Sequence, residues 1–185
     1  PITQQFVAAC NSGPFLSAIS VLTGIPGLIA DPYLSGGGQH QTGRGGRLKV
    51  HSDFNVHPSL PLARRLNMLV YLNDPWEESW GGALELWDRD MTRAEVVVPC
   101  TFGTVAMFTC SDYSFHGLPD PLDCPPGTYR RSLAFYYYTA DPIALEARST
   151  LWKERPSEDF LSRPSARMRR SAGLAAQSVR TLFKG

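Results

Sequence analysis

Six short apolar runs follow one another between residues 47 and 139, and turn residues or chain breakers separate them. Residues 47–53 form the first. Leu66-Asn67-Met68-Leu69-Val70-Tyr71-Leu72 ends at Asn73-Asp74-Pro75, Ala83-Leu84-Glu85-Leu86-Trp87 at Asp88-Arg89-Asp90, and Glu95-Val96-Val97-Val98 at Pro99. Thr104-Val105-Ala106-Met107-Phe108-Thr109 is the fifth, and the aromatic-rich stretch from Arg130 to Thr139 is the sixth. Short runs of this kind, with turns between them, are the strands of a sandwich or barrel.

Helical signals lie outside these runs. Residues 14–23 begin with a proline, carry Phe15, Ile19 and Leu22, and stop at Gly24, which predicts a short helix. In the tail, Met168, Ala172, Ala175, Val179 and Leu182 recur at helical spacing, flanked by Arg167, Arg169, Arg170, Arg180 and Lys184. This predicts a helix packed on the barrel with a solvated basic face. Residues 35–46 are rich in glycine and poor in apolar side chains, so they read as a mobile loop. The chain therefore reads as one domain over 1–185: a flank at 1–46, a β core at 47–140 and a helical tail at 141–185.

A formal charge of +1 gives no electrostatic ground for a nucleic-acid partner. No apolar run approaches the roughly 18 residues of a membrane span, and nothing resembles a signal peptide. No membrane association is expected. Cys10, Cys100, Cys110 and Cys124 are widely spaced without a Cys-x-x-Cys. They read as free thiols rather than a zinc site, which suits a cytoplasmic location.

The first run carries chemistry. His51 and Asp53 are two residues apart on a strand, so both point to one face. A third ligand is wanted, and His116 in Ser114-Phe115-His116-Gly117 supplies it after the fifth run. Two imidazoles and one carboxylate on one side, with the other side open, suit ferrous iron. His57 and His40 compete, the first just after Asp53 and the second in the glycine-rich stretch. Arg130 and Arg131 open the last run, where an anionic cosubstrate can bind.

Six blocks in order resemble the prolyl-4-hydroxylase-type branch of the Fe(II)/2-oxoglutarate dioxygenase superfamily. They are Gly45 to Phe54, Arg64 to Asn73, Trp80 to Trp87, Pro99 to Phe108, Ser114 to Gly117 and Arg130 to Tyr138. The resemblance implies a mainly β fold: a double-stranded β-helix, the cupin-like jelly roll, flanked by helices at both ends. It implies that His51, Asp53 and His116 ligate Fe(II), and that 2-oxoglutarate chelates it and is decarboxylated to succinate. Dioxygen is then the oxidant of an unactivated C–H bond, and ascorbate is admitted as a further cofactor. With Asp53 present, hydroxylation is favoured over halogenation.

The far carboxylate of 2-oxoglutarate needs a buried cation, and arginine meets carboxylate as a fork. The family pattern Arg-x-Ser gives Arg130 with Ser132. Alternation places both on one face with Ala134 and Tyr136, and Arg131 stays as the alternative. Tyr71 matches a position whose hydroxyl binds the same carboxylate; as a plain reading it is a core tyrosine. Asn67 shares its face and is a candidate pocket group. Gly81-Gly82 reads as a turn without chemistry, and Trp76, Trp80 and Trp87 as packing.

Substrate selection in such barrels lies in the loops, here 31–46, 54–63, 74–81 and 117–129. The first reads as a lid. Arg44, Arg47 and Arg64 are near the site in sequence, each expected as a solvated charge. The branch resemblance implies a prolyl or other peptidyl residue as substrate, and a small molecule such as an amino acid or natural product fits equally well. The alternatives are a non-catalytic jelly roll that binds or senses a metal, and a cupin-like metal isomerase. The first has no need of both a ligand triad and an arginine seat, and cupins offer more histidines.

Overall fold

The computed structural model describes residues 1–140 and 146–156. Pro1–Lys153 make one compact unit; of a second, Glu154–Gly185, only residues 154–156 are described. The helix expected over 165–183 lies outside the described residues. Two helices come first, α1 (Ile2–Cys10) and α2 (Gly13–Thr23). The strands are β1 (Ile29–Ala30), β2 (Gly38–Gly43), β3 (Leu48–Ser52), β4 (Ala63–Tyr71), β5 (Leu84–Trp87), β6 (Ala94–Val98), β7 (Val105–Thr109), β8 (His116–Leu118), β9 (Tyr129–Thr139) and β10 (Leu151–Trp152). α2 forms where proline and glycine predict it. Ser12 accepts a hydrogen bond from the Phe15 N–H, and Gly24 closes the helix at φ 68°.

The strands build two antiparallel sheets. One has the order β1-β9-β4-β7, with β2 also paired to β9; the other has the order β10-β3-β8-β5-β6. This is the jelly roll, and alternation along β4 and β9 sets its layers. Leu66, Met68 and Val70 with Leu133, Phe135 and Tyr137 pack against Cys10, Ile19, Ile25 and Leu28 of the helical flank. Tyr71 and Leu69 turn the other way and join Leu84, Cys100 and Ala106 between the sheets. Val7, Cys10, Phe15, Leu16 and Ile19 of the two helices are thus used against the first sheet, whereas Leu22, expected on the same apolar face, stays exposed with Val21. Among the described residues no single helix is long and apolar enough to cross a membrane. All four cysteines are free, and Cys110 alone is only partly buried.

The glycine-rich stretch is not a free loop. β2 pairs with β9 over six residues, from Gly38 opposite Ala134 to Gly43 opposite Tyr129. Main-chain hydrogen bonds hold this strand, so it needs no apolar period, and the stretch is not a detached lid. Gly37 permits the approach, since a Cβ there would lie 2.8 Å from the Ala134 carbonyl oxygen.

Two irregularities in register shape the interior. β3 and β8 pair at Leu48 with Leu118 and at His51 with His116, so β3 spends one extra residue between them. That bulge lets Leu48 and His51 both line the space between the sheets. Gly117 sits beneath it: a Cβ there would lie 2.8 Å from the Leu48 oxygen and 3.0 Å from the Val50 nitrogen. On β4, Arg64 is opposite Tyr138 and Leu66 opposite Tyr137, leaving Arg65 extra. Gly117→Ala should therefore cost about 1–3 kcal/mol through overpacking against backbone. Urea unfolding measures this, and an unchanged midpoint would contradict the tight seat.

Candidate metal centre

The pairing of β3 with β8 brings His51 directly opposite His116. Asp53 follows the end of β3 and turns back between them. Its Oδ1 lies 3.5 Å from His51 Nε2 and its Oδ2 3.4 Å from His116 Nε2. One ligand atom from each residue lies within 4.8 Å of the others. Donors about 2.1 Å from a shared ion stand roughly 3–4 Å apart, so the set fits a first-row divalent metal.

Both imidazoles are aimed in the same way. His51 Nδ1 is 2.9 Å from the Lys49 carbonyl oxygen, and His116 Nδ1 is 2.9 Å from that of Ser114. Each Nδ1–H donates there, which leaves each Nε2 lone pair for the centre. The rings are also backed by aromatics, His116 by Phe108 at 4.6 Å and His51 by Trp152 at 4.9 Å between centroids. Burial drives the His116 pKa down to about 4, with Asp53 opposing only in part. It is neutral at pH 7, as a ligand must be.

Asp53 is held by a clamp. Its Oδ2 accepts from Arg64 Nη2 at 2.8 Å and from Asn67 Nδ2 at 2.8 Å. Arg64 Nε donates in turn to Asn67 Oδ1 at 2.9 Å. The Arg64 side chain is wholly shielded from solvent, and its guanidinium lies 3.4 Å from the Tyr136 ring centroid and 4.3 Å from that of Phe54. Cation–π attraction stands there in place of a hydrogen bond for its buried Nη1. Burial alone would raise the Asp53 carboxyl. The His51 contact and the Arg64 charge outweigh it and hold the group well below the usual carboxylate range. Arg64 is therefore not the solvated charge expected of it from the sequence. The extra Arg65 in β4 shifts the phase, so Arg64 enters the same layer as Asn67.

A cavity of about 490 Å³ opens beside the three ligands. Arg130 and Ser132 line it from β9, Asn67 and Leu69 from β4, His40 and Thr42 from β2. Arg130 is buried. Its Nε donates to the Gly82 carbonyl at 2.7 Å, and its Nη2 to the Tyr71 hydroxyl at 3.2 Å. Arg131 is exposed on the opposite face, 3.4 Å from Gln41 Oε1. Tyr71 is fully buried behind Arg130, and burial raises its phenol pKa. Gly82 has more than a turn's role: at φ 91°, a Cβ would lie 3.2 Å from Arg130 Cδ and from Cys100 Sγ.

The competing histidines separate clearly. His57 is buried away from the centre, where Nδ1 accepts from the Ser59 and Leu60 N–H groups at 3.1 Å and Nε2 faces Asp31 Oδ2 at 3.4 Å. His40 lies on β2 opposite Ser132. Partial desolvation and the nearby Arg130 charge lower its pKa, and the exposed residue lines the cavity outside the set of three converging ligands. Arg44 pairs with Asp123 at the surface, while exposed Arg47 lines the cavity. Trp76 and Trp80 pack edge to face.

A jelly roll with two imidazoles and a carboxylate converging beside a buried arginine has the make-up of a mononuclear non-haem metal protein. The sequence pattern described as the 2OG-Fe(II) oxygenase superfamily matches residues 37–138. That is more than half of the chain, and the chain belongs to this superfamily. No curated protein matches its sequence. Among solved structures, a prolyl 4-hydroxylase from Phytophthora capsici aligns with a TM-score of 0.52 at 22% identity. The alignment covers 73% of this chain and 42% of that one, so this chain spans less than half of its relative's length. At this identity the likeness is one of fold.

The burial of His116 has a consequence for stability. An unfolded chain takes up its proton near pH 6.5, the folded protein only near 4. With metal removed by a chelator, stability should fall by about 3 kcal/mol as pH drops through that window. Asp53, whose folded pKa is depressed, adds a further loss as pH falls below its unfolded value of 3.8. Urea unfolding at stepped pH measures both. The upper loss should vanish in His116→Gln, and a stability that stays flat from pH 6.5 to 4.5 in the parent protein would contradict it.

Proposed function

We propose that the protein is an Fe(II)- and 2-oxoglutarate-dependent dioxygenase. It couples oxidative decarboxylation of 2-oxoglutarate to succinate and CO2 with hydroxylation of an unactivated C–H bond. The observation that carries this reading is the shared cavity, into which two imidazole nitrogens, one carboxylate and one buried guanidinium all open. His51, Asp53 and His116 hold the iron. Bound there, Fe(II) supplies Lewis acidity toward the keto acid and the redox chemistry for dioxygen.

The remaining roles belong to the chain. Arg130 receives the far carboxylate of 2-oxoglutarate, and its bonds to Gly82 and Tyr71 fix the fork before the ligand arrives. Ser132 adds a hydroxyl on the same wall. Leu69, Leu84 and Phe108 exclude water from the space between. Arg64 and Asn67 keep Asp53 ionised and pointed at the metal. The likeness in fold to a prolyl 4-hydroxylase makes peptidyl proline the first substrate to test, with free amino acids and natural products next.

Succinate release from 2-oxoglutarate, with Fe(II) and with or without a proline-rich peptide, tests the reaction. His51→Ala and Asp53→Ala should abolish it while the fold is retained, and normal turnover in either would refute the triad. Arg130→Ala should raise the KM for 2-oxoglutarate by roughly 10–100-fold, the scale of a lost charge-assisted contact of about 1.5–3 kcal/mol. Arg131→Ala should leave it within about twofold, as befits an exposed charge. The reverse order would overturn the assignment.

A further inference from the structure

Residues 146–153 lie outside the stretch matched by the family pattern, yet they bind to every chain segment that carries a candidate ligand. β10 pairs antiparallel with β3, placing Trp152 opposite His51 and Leu151 opposite Ser52. The Lys153 N–H donates to the Val50 carbonyl at 2.8 Å. Upstream, the Arg148 N–H donates to Asn55 Oδ1 at 2.8 Å, and Asn55 Nδ2 donates to the Glu146 carbonyl at 3.0 Å. Arg148 Nε donates to Asp112 Oδ1 at 2.9 Å. Val50 adjoins His51, Asn55 follows Asp53 by two residues, and Asp112 precedes His116 by four. The segment is a strap across the two ends of the metal centre.

Ordinary packing does not explain where its indole lies. Trp152 remains 57% exposed, so it forgoes much of the gain that burying an aromatic brings. A two-residue edge strand is itself a weak element. The surface the indole does cover is the His51 ring, at 4.9 Å and 36°. Phe108 covers His116 at 4.6 Å in the same manner, but from β7 inside the core. Each imidazole therefore has a carbonyl on Nδ1 and an aromatic ring on one face. For His51 the ring comes from the strap.

We infer that the strap is part of the metal centre. Trp152 is a positioning residue for His51, and the seating of residues 146–153 and the binding of a divalent metal favour each other. The inference rests on the triad reading given above. A metal on His51 Nε2 fixes the imidazole and with it the surface on which the indole stacks. By linkage, whatever factor the seated strap adds to metal affinity, the bound metal returns to the seating of the strap.

Anaerobic titration of the full chain with Co(II) tests this, read by calorimetry and by the Co(II) d–d absorption. Trp152→Ala removes the indole. Asn55→Ala cuts two ties of the strap without touching the indole or a ligand, and Trp152→Phe keeps an aromatic ring. Trp152→Ala and Asn55→Ala should each weaken Co(II) binding by roughly 10–100-fold, the scale of lost contacts to a metal-bound histidine. They should also alter the d–d bands, and Trp152→Phe should restore most of both. In the parent protein, Co(II) should slow trypsin cleavage after Arg148 and Lys153. Parental affinity and spectrum in both Trp152→Ala and Asn55→Ala would overturn the role of the strap and leave the triad standing. No Co(II) binding by the parent chain would overturn the triad reading and the strap's role with it. A loss of affinity that in all three variants accompanies unfolding of the metal-free protein would reduce the strap to ordinary packing.

Discussion

The interior depends on a carboxylate that could not stay where it is without its partners. Asp53 sits between two imidazoles that are themselves buried, and desolvation opposes its charge. Arg64 and Asn67 reverse that cost through two hydrogen bonds to one oxygen. The arrangement asks much of the fold: a guanidinium with no solvent contact has to be carried to the same point. Phe54 and Tyr136 sandwich it, and the bulge in β4 turns it inward. Breaking one side of such a buried pair is far more damaging than never having had it. The clamp thus ties β4, β9 and the end of β3 into one unit around the candidate metal position.

The second anion seat follows the same physical rule with different parts. Arg130 is buried, and among the described residues it pairs with no carboxylate. The Gly82 carbonyl and the Tyr71 hydroxyl take two of its nitrogens and leave its charge uncompensated. A buried cation of this kind is complementary to an anionic ligand. Gly82 matters because its positive φ and missing Cβ let the carbonyl reach the guanidinium. One cavity therefore joins three convergent candidate metal ligands to a buried guanidinium, the pairing that a metal-chelating keto acid requires.

Much of this was legible in the sequence, and the failures have common causes. The strand runs and their alternation put Tyr71 with Asn67 and Arg130 with Ser132 on shared faces, with Arg131 kept as the alternative, since period-2 patterns survive wherever a sheet has one apolar face. His51 and Asp53 were legible for the same reason, and His116 as the third ligand that this pair called for after the fifth run. Arg64 was not, because strict alternation puts it with Leu66 and only the extra Arg65 reverses that. β2 was hidden because its pairing is carried by backbone atoms, which leave no side-chain signature. Gly82 read as a turn and Gly117 carried no reading of its own, while their use is to let backbone and side chains come close. The strap at 146–153 has too few residues to show any period, and its meaning comes from what it touches.

The measurement that bears most directly on this account is an anomalous-difference map at the iron edge. Crystals would be grown anaerobically with Fe(II) and 2-oxoglutarate. One peak about 2.1 Å from His51 Nε2, His116 Nε2 and an Asp53 oxygen is expected, with the far carboxylate of the keto acid on Arg130. Iron bound away from these three side chains, or a carboxylate seated on Arg131, would contradict it.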